Sequence, residues 1–373
     1  MTSLILALPA CSGATEWKGA IKLGLVAPFY GFDSSTAYNT YFAVKLAINE
    51  WNDRGGAGGH MIELVAMDDQ ADADVAAYQA KKMAADPDVV GVVGYLSSDT
   101  ALKAAAVHRE AGLAALTLGA TAAAVATSGY PEVLRMSPQD AAISARALRI
   151  LKTKSDYRRL AVVDDGSPGH SALAGSFAAE AARHDVAVVQ QETVSPSQRD
   201  LAALVRRLET SRAQVVFFAG GYHQAAALAA ALLATKPRLD LLLSYDSDTP
   251  DFVKVGGPSA VGVMYQGLGQ RLPPDRPETG TFLAKYTALS GTVPGAYAVA
   301  AYDAANLLLE ATRRVSNTSA KPWRNRIAAE LRRVGAYPGL KGTFDFDENG
   351  ARLDVVGSLY RLESVAYPGV VLE

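Results

Sequence analysis

Residues 88–112 read DVVGVVGYLSSDTALKAAAVHREAG, and this stretch decides the fold. Val89 to Val93 form an unbroken apolar run rather than an alternating one, the pattern of a strand covered on both faces. From Ala101 to Gly112 the chain turns alanine-rich and closes on a glycine, which reads as a helix with its stop. A buried strand followed at once by a helix is the repeating half of a parallel α/β sheet. Between the two stands Gly94-Tyr95-Leu96-Ser97-Ser98-Asp99-Thr100, where three hydroxyl residues and an acid meet the helix start. Two readings fit. Hydroxyl and acidic residues cap the free N–H groups of a helix. The same N–H groups, with a serine beside them, also make a ready site for an anion.

The unit recurs on both sides. Residues 21–26, 62–67 and 114–118 read as further strands, and 38–53 and 74–85 as helices, the first with Tyr41, Val44, Ala47, Ile48 and Trp51 at helical spacing. After Pro138 the rhythm restarts, with strands at 160–163, 186–190, 214–218 and 239–243. Helices at 141–151, 171–183, 201–210 and 223–234 alternate with them. Pro273, Pro274 and Pro277 mark an irregular loop, followed by helices near 279–290 and 297–314. The turn Phe344 to Gly350 then leads into terminal strands. The pattern predicts an α/β protein of two lobes, each a parallel sheet flanked by helices with right-handed crossovers.

Composition limits the function. The 373 residues suit two domains, and the 49% hydrophobic fraction suits a well-filled core. A net charge of −2 with no dense basic run gives no support to a nucleic-acid groove or an anionic membrane patch. The single cysteine, Cys11, rules out an intrachain disulfide and a Cys-rich metal site. It ends MTSLILALPAC, which is similar to the lipobox of bacterial lipoproteins, where the cysteine is lipidated and becomes the first mature residue. No basic segment precedes Leu4, as a secretory signal normally has. Residues 1–18 are expected to be this leader and a tail, and no later apolar run approaches the roughly 20 residues that span a bilayer.

Motifs of catalysis are missing. Gly55 to Gly59 follow a helix rather than a strand, so they read as a helix stop, not a dinucleotide loop. Gly169-His170-Ser171-Ala172-Leu173 begins like a nucleophile elbow but lacks the closing glycine. The five histidines are scattered, with no zinc spacing, so neither metal nor cofactor is expected. Asp68-Asp69 and Asp164-Asp165 end strands, where acids more often cap helices than react. Nothing assembles a nucleophile with a base, and an enzyme is not expected.

The positive signal lies at the strand C-ends, where open parallel sheets hold their ligands. In the first lobe these loops are 27–36, 68–72, 96–100 and 119–121, rich in small hydroxyls and glycine. In the second they are 164–170, 220–223 and 244–248, richer in aromatic and acidic groups. Facing lobes of this kind could set an anion-binding helix end against an ammonium-binding acid, a pairing that suits a zwitterion.

Ile21 to Val26, LAINEWNDRGGAGG (46–59), Asp68-Asp69, VVGYLSS (92–98), LTLGAT (116–121), FFAGGY (217–222) and GTFDFDENG (342–350) together resemble the branched-chain amino-acid-binding group of type I periplasmic binding proteins. These are the substrate-binding subunits of ABC importers, and the resemblance runs from about residue 20 to the C-terminus. It implies two Rossmann-like lobes joined by three crossover segments, near 136–139, 266–269 and 342–347, with hinge closure on ligand. Lobe 1 would hold 19–137 plus 267–342, and lobe 2 138–266 plus 343–373. Carried over, Ser98 and the N–H groups of Asp99 and Thr100 would bind the ligand carboxylate beside Leu96, while the Gly119 carbonyl, Ala120 and the Thr121 hydroxyl would border the ammonium. The second lobe departs from the family pattern. Pro168 stands where a tyrosine is common, and Thr36 where an aromatic is expected near Phe29, Tyr30 and Phe32. Tyr222 remains, and the acidic anchor falls on Asp246, with Tyr245 as the ungapped alternative and Asp248 behind both.

The resemblance implies a monomeric, lipid-anchored solute-binding protein at the periplasm or outer membrane face. It would deliver an amino acid or related small carboxylate, an amide or aromatic acid included, to an ABC permease. A second reading within the same fold is a cytoplasmic amide- or amino-acid-type sensor acting on a partner protein.

Overall fold

The computed structural model describes residues 17–372, apart from 32–33, 155, 196, 199, 237, 269–271 and 273–275. Cys11 and Phe32 thus lie outside the described residues. The first sheet uses β1 (Ala20–Ala27), β2 (Met61–Asp68), β3 (Val89–Gly94), β4 (Ala115–Thr117) and β5 (Val133–Arg135), all parallel, in the order β2-β1-β3-β4-β5. Between them run α1 (Ser34–Asp53), α2 (Ala73–Ala85), α3 (Ser98–Ala111) and the single turn α4 (Ala123–Ala126). The central strand β3 is buried at all six positions, as its unbroken apolar run requires. Leu23 and Leu25 of β1 join the core under α1, while Val26 joins that under α2 and α3. The two faces are therefore covered by different helices. Gly94 lets β3 lie against β1, because at φ +146° a Cβ there would stand 2.1 Å from the Val26 carbonyl oxygen.

The second sheet repeats the plan. It contains β6 (Arg159–Asp164), β7 (Ala187–Thr193), β8 (Val215–Ala219), β9 (Asp240–Leu243) and β10 (Met264–Gly267), with α5 (Asp140–Lys154), α6 (Pro168–Arg183), α7 (Ala202–Thr210), α8 (Tyr222–Leu232) and α9 (Pro250–Gly256). Its parallel part, β7-β6-β8-β9-β10, has the strand order of the first sheet. The chain then returns to the first lobe as α10 (Pro277–Ser290), α11 (Ala298–Thr318) and α12 (Arg324–Leu331), followed by a hairpin of β11 (Tyr337–Gly339) and β12 (Gly342–Phe344). Finally β13 (Ser358–Arg361) and β14 (Val370–Leu372) add antiparallel strands to the second sheet. β5 and β10 were not foreseen as strands, since three or four residues carry too little periodicity.

The chain passes between sheets after β5, after β10 and before β13. The third passage differs from the expected 342–347. Arg135 N–H donates to the Gly350 carbonyl at 2.7 Å and the Arg352 N–H to the Arg135 carbonyl at 3.0 Å, so residues 350–352 still border β5. The passage therefore falls at 353–357. Buried Arg352 holds the segment there, with its guanidinium 3.8 Å over the Phe344 ring and 3.6 Å from Asp303 of α11. Among the described residues no helix is long and apolar enough to cross a membrane, and no His, Cys, Asp and Glu cluster could hold a metal.

Candidate functional site

The start of α3 is built by a tethered turn. Tyr95 takes φ +54°, and its buried hydroxyl donates to His108 Nε2 at 2.7 Å. Nδ1–H of His108 donates in turn to the Leu113 carbonyl at 3.0 Å, which fixes the tautomer. Burial pushes the imidazole down to about 4, so it stays neutral and structural. The capping residue is Ser97, not Ser98: its Oγ accepts from Thr100 N–H at 3.3 Å and lies 2.9 Å from the Thr100 hydroxyl. Thr100 is thereby buried in the cap, and Asp99 is exposed. The N–H groups of Ser98 and Asp99, in the first turn, have no intrahelical acceptor. Ser98 Oγ accepts from Ala122 N–H at 3.0 Å and keeps its own proton to donate. Gly119 permits this close packing, since a Cβ there would lie 2.0 Å from the half-buried Leu96 carbonyl oxygen. Ala120 is buried behind it, its carbonyl accepting from Ser137 Oγ at 3.3 Å.

Across the cleft, α6 begins at Pro168 with Ser167 as its cap. A methyl group on Gly169 would lie only 3.7 Å from Asp99 Oδ2, so the N-termini of α3 and α6 face each other. In the first turn of α6 stands His170. Its Nδ1 is 2.8 Å from Asp165 Oδ2 and its Nε2 3.5 Å from Asp246 Oδ2. Burial opposes the imidazolium, yet the hydrogen bonds and charges of Asp165 and Asp246 win and push it up to about 10. Asp246 also accepts from Ser244 Oγ at 3.0 Å.

Tyr245 closes the cleft. Its hydroxyl donates to Asp140 Oδ1 at 3.2 Å and lies 2.7 Å from Thr121 Oγ1, which can donate to it. Asp140 N–H donates to the Thr121 carbonyl at 3.0 Å, so side chain and main chain tie the lobes at one point. Burial raises the Asp140 carboxyl, against the lowering effect of the Thr121 and Tyr245 hydroxyls beside it. Asp248 accepts from Tyr367 at 2.9 Å. Tyr222, the first residue of α8, is buried in the second-lobe core and tilts against His223. Thr36 sits in α1 rather than in the preceding loop, and with Asn39, Tyr245, Asp246 and Tyr297 it lines an interlobe cavity of about 10 Å³, room for about one water. A larger cavity of about 200 Å³ lies behind Leu118 and Ala296, against the lobe connections and Lys341.

The structure thus brings Ser98, Gly119, Thr121 and Tyr245 to one corner, with Asp246 close by. Thr100 is buried in the helix cap, and Tyr222 packs in the second-lobe core. His170 and Asp140 were missed by sequence reasoning. His170 was read as the end of the 164–170 loop and as part of a broken elbow motif, with no role of its own, and Asp140 opens a helix like any capping acid.

A family model for periplasmic binding proteins matches residues 20–364. The chain belongs to that family. Leu/Ile/Val-binding protein homolog 1 of Brucella melitensis is 24% identical over 351 residues, which cover 94% of this periplasmic binding protein and 92% of the relative. An amino acid binding protein of Pseudomonas aeruginosa is 27% identical over 277 residues, 73% and 74% of the two chains. The fold also matches the branched-chain amino acid transporter substrate binding protein LivJ of Streptococcus pneumoniae, crystallised with isoleucine. That match has a TM-score of 0.84 at 17% identity and covers 94% and 99% of the chains. Family membership implies an extracytoplasmic location.

Proposed function

We propose that this protein is the solute-binding component of an ABC importer and takes an amino acid or related small carboxylate between its lobes. The observation that carries the reading is the interlobe corner. There the first-turn N–H groups of α3 and the Ser98 hydroxyl, which still has a proton to give, lie beside the one point where Thr121 meets Tyr245. A carboxylate at that corner would complete the helix end and the hydroxyl at once, and the lobes would close over it about their three connections. Ser98 and the amides of Ser98 and Asp99 act as carboxylate donors, and Tyr245 and Asp246 face them from the second lobe. The relatives named for amino-acid binding support the same class of ligand.

A thermal-shift screen over amino acids, small monocarboxylates, amides and aromatic acids tests this, because a ligand that binds only the folded chain raises its melting temperature. A carboxylate should raise it, and calorimetry should then give one site per chain. A panel in which no carboxylate acts would refute the reading. We further propose that Cys11 carries a lipid that anchors the protein beside its permease. Mass spectrometry of membrane-expressed protein should find the acylated cysteine, and an unmodified, unprocessed chain would exclude it.

A further inference from the structure

Four second-lobe acids near the corner already have protein partners. Asp165 and Asp246 share His170, at 2.8 and 3.5 Å. Asp140 accepts from the Tyr245 hydroxyl at 3.2 Å, and Asp248 from Tyr367 at 2.9 Å. Thr121, the hydroxyl that an ammonium group would need in the first lobe, lies 2.7 Å from the Tyr245 oxygen. These side chains are thus engaged from within the chain, and the positive charge among them is that of His170.

The carboxylate side is different. Its N–H groups in the first turn of α3 are not used by the helix, and Ser98 retains its donor. An incoming amino acid would find its negative end received, while its ammonium would displace Tyr245 from Thr121 or compete with His170 for Asp246. A buried ammonium left without acceptors is costly. A carboxylate carrying hydrogen in place of the ammonium meets no such conflict.

Resting on the reading of the cleft as a carboxylate site, we propose that it selects a small monocarboxylate lacking an α-ammonium group, with Tyr245 and His170 as the specificity-determining residues. The two side chains supply internally the hydroxyl and the cation that an amino acid would otherwise bring or require.

Matched pairs test this in one calorimetric series: isovalerate against L-valine, isocaproate against L-leucine, and hydrocinnamate against L-phenylalanine. For the pair that fits the cleft, the deaminated acid should bind at least about tenfold tighter than its amino twin, a difference of about 1.4 kcal/mol. In His170→Gln, which frees Asp246, and in Tyr245→Phe, which frees Thr121, that ratio should fall toward unity. The ratio is taken within one protein sample, so a partly unfolded variant does not distort it. Equal affinity, or tighter binding of the amino acid, overturns the inference and leaves the carboxylate cleft standing. A wild-type preference that both variants leave unchanged removes Tyr245 and His170 as its cause and overturns it too. If neither member of any pair binds, the cleft reading itself fails and the inference falls with it.

Discussion

Replacing His170 with glutamine removes the one cation shared by Asp165 and Asp246 while keeping a side chain of similar reach. The imidazole is about one-quarter exposed and is held up to about 10, against 6.5 for the ordinary group. That difference corresponds to roughly 5 kcal/mol of folding stability. Because the folded value is raised, the contribution is complete below about pH 6.5 and disappears as pH climbs through about 10. Across that window the folded chain holds a proton that the unfolded chain has lost, so stability falls by about 1.4 kcal/mol per pH unit. Urea unfolding of both proteins at stepped pH follows the effect, since titrations of groups not in contact with His170 are common to the two curves and cancel in the difference. The wild-type advantage should be level near pH 6, shrink steadily between about pH 7 and 9, and vanish near the folded value. The imidazole proton shifts should stay those of an imidazolium over the same range. A difference curve that is flat between about pH 7 and 9 would show that His170 is not charged by its two acids.

Ser98→Ala should weaken binding of a carboxylate by about 1–3 kcal/mol in calorimetry, the cost of leaving a charged group short of a hydrogen bond, and unchanged affinity would remove Ser98 from the site. Tyr245→Phe deletes the bonds to Thr121 and Asp140 and should cost the closed form about 1–2 kcal/mol. The radius of gyration of the unliganded protein should rise in X-ray scattering, and an unchanged profile would mean that this contact does not hold the lobes together. Lys341→Met should act with the opposite pH sign to His170→Gln. Burial first, and Arg352 second, push the Lys341 amine down to about 8, so the folded chain disfavours its charge until pH exceeds that value. The variant should be more stable at neutral pH by on the order of 1–3 kcal/mol, and the gain should shrink as pH rises from about 8 to 10.5, whereas a gain independent of pH would refute the assignment. Gly94→Ala should destabilise the chain by about 3 kcal/mol or more in chemical unfolding, because its Cβ would meet the Val26 carbonyl, and a neutral effect would contradict the strand packing.

The order of strands and helices was legible in the sequence because burial leaves a local trace. Val89 to Val93 had to be covered on both sides, and the helices with apolar spacing had to supply the cover. The first-lobe half of the candidate site could be proposed for a similar reason, since Ser97, Ser98 and the N–H groups beside them are neighbours in the chain. Weaker traces were lost. β5 and β10 were too short to show a period, and the third passage could not be located until Arg352 was seen over Phe344 and against Asp303. Charges and hydroxyls leave no periodic trace, because their meaning depends on which strand ends meet. Asp246 read as an acid available to a ligand, yet folding brings His170 to it from the start of α6 in the same lobe. Thr121 and Tyr245 lie 124 residues apart and bond only because the two sheets turn their C-terminal edges toward each other. Hydrophobic patterning is written residue by residue along the chain. The pairing of polar groups is fixed only by tertiary structure, since each hydrogen bond depends on an approach of about 3 Å that sequence spacing does not encode.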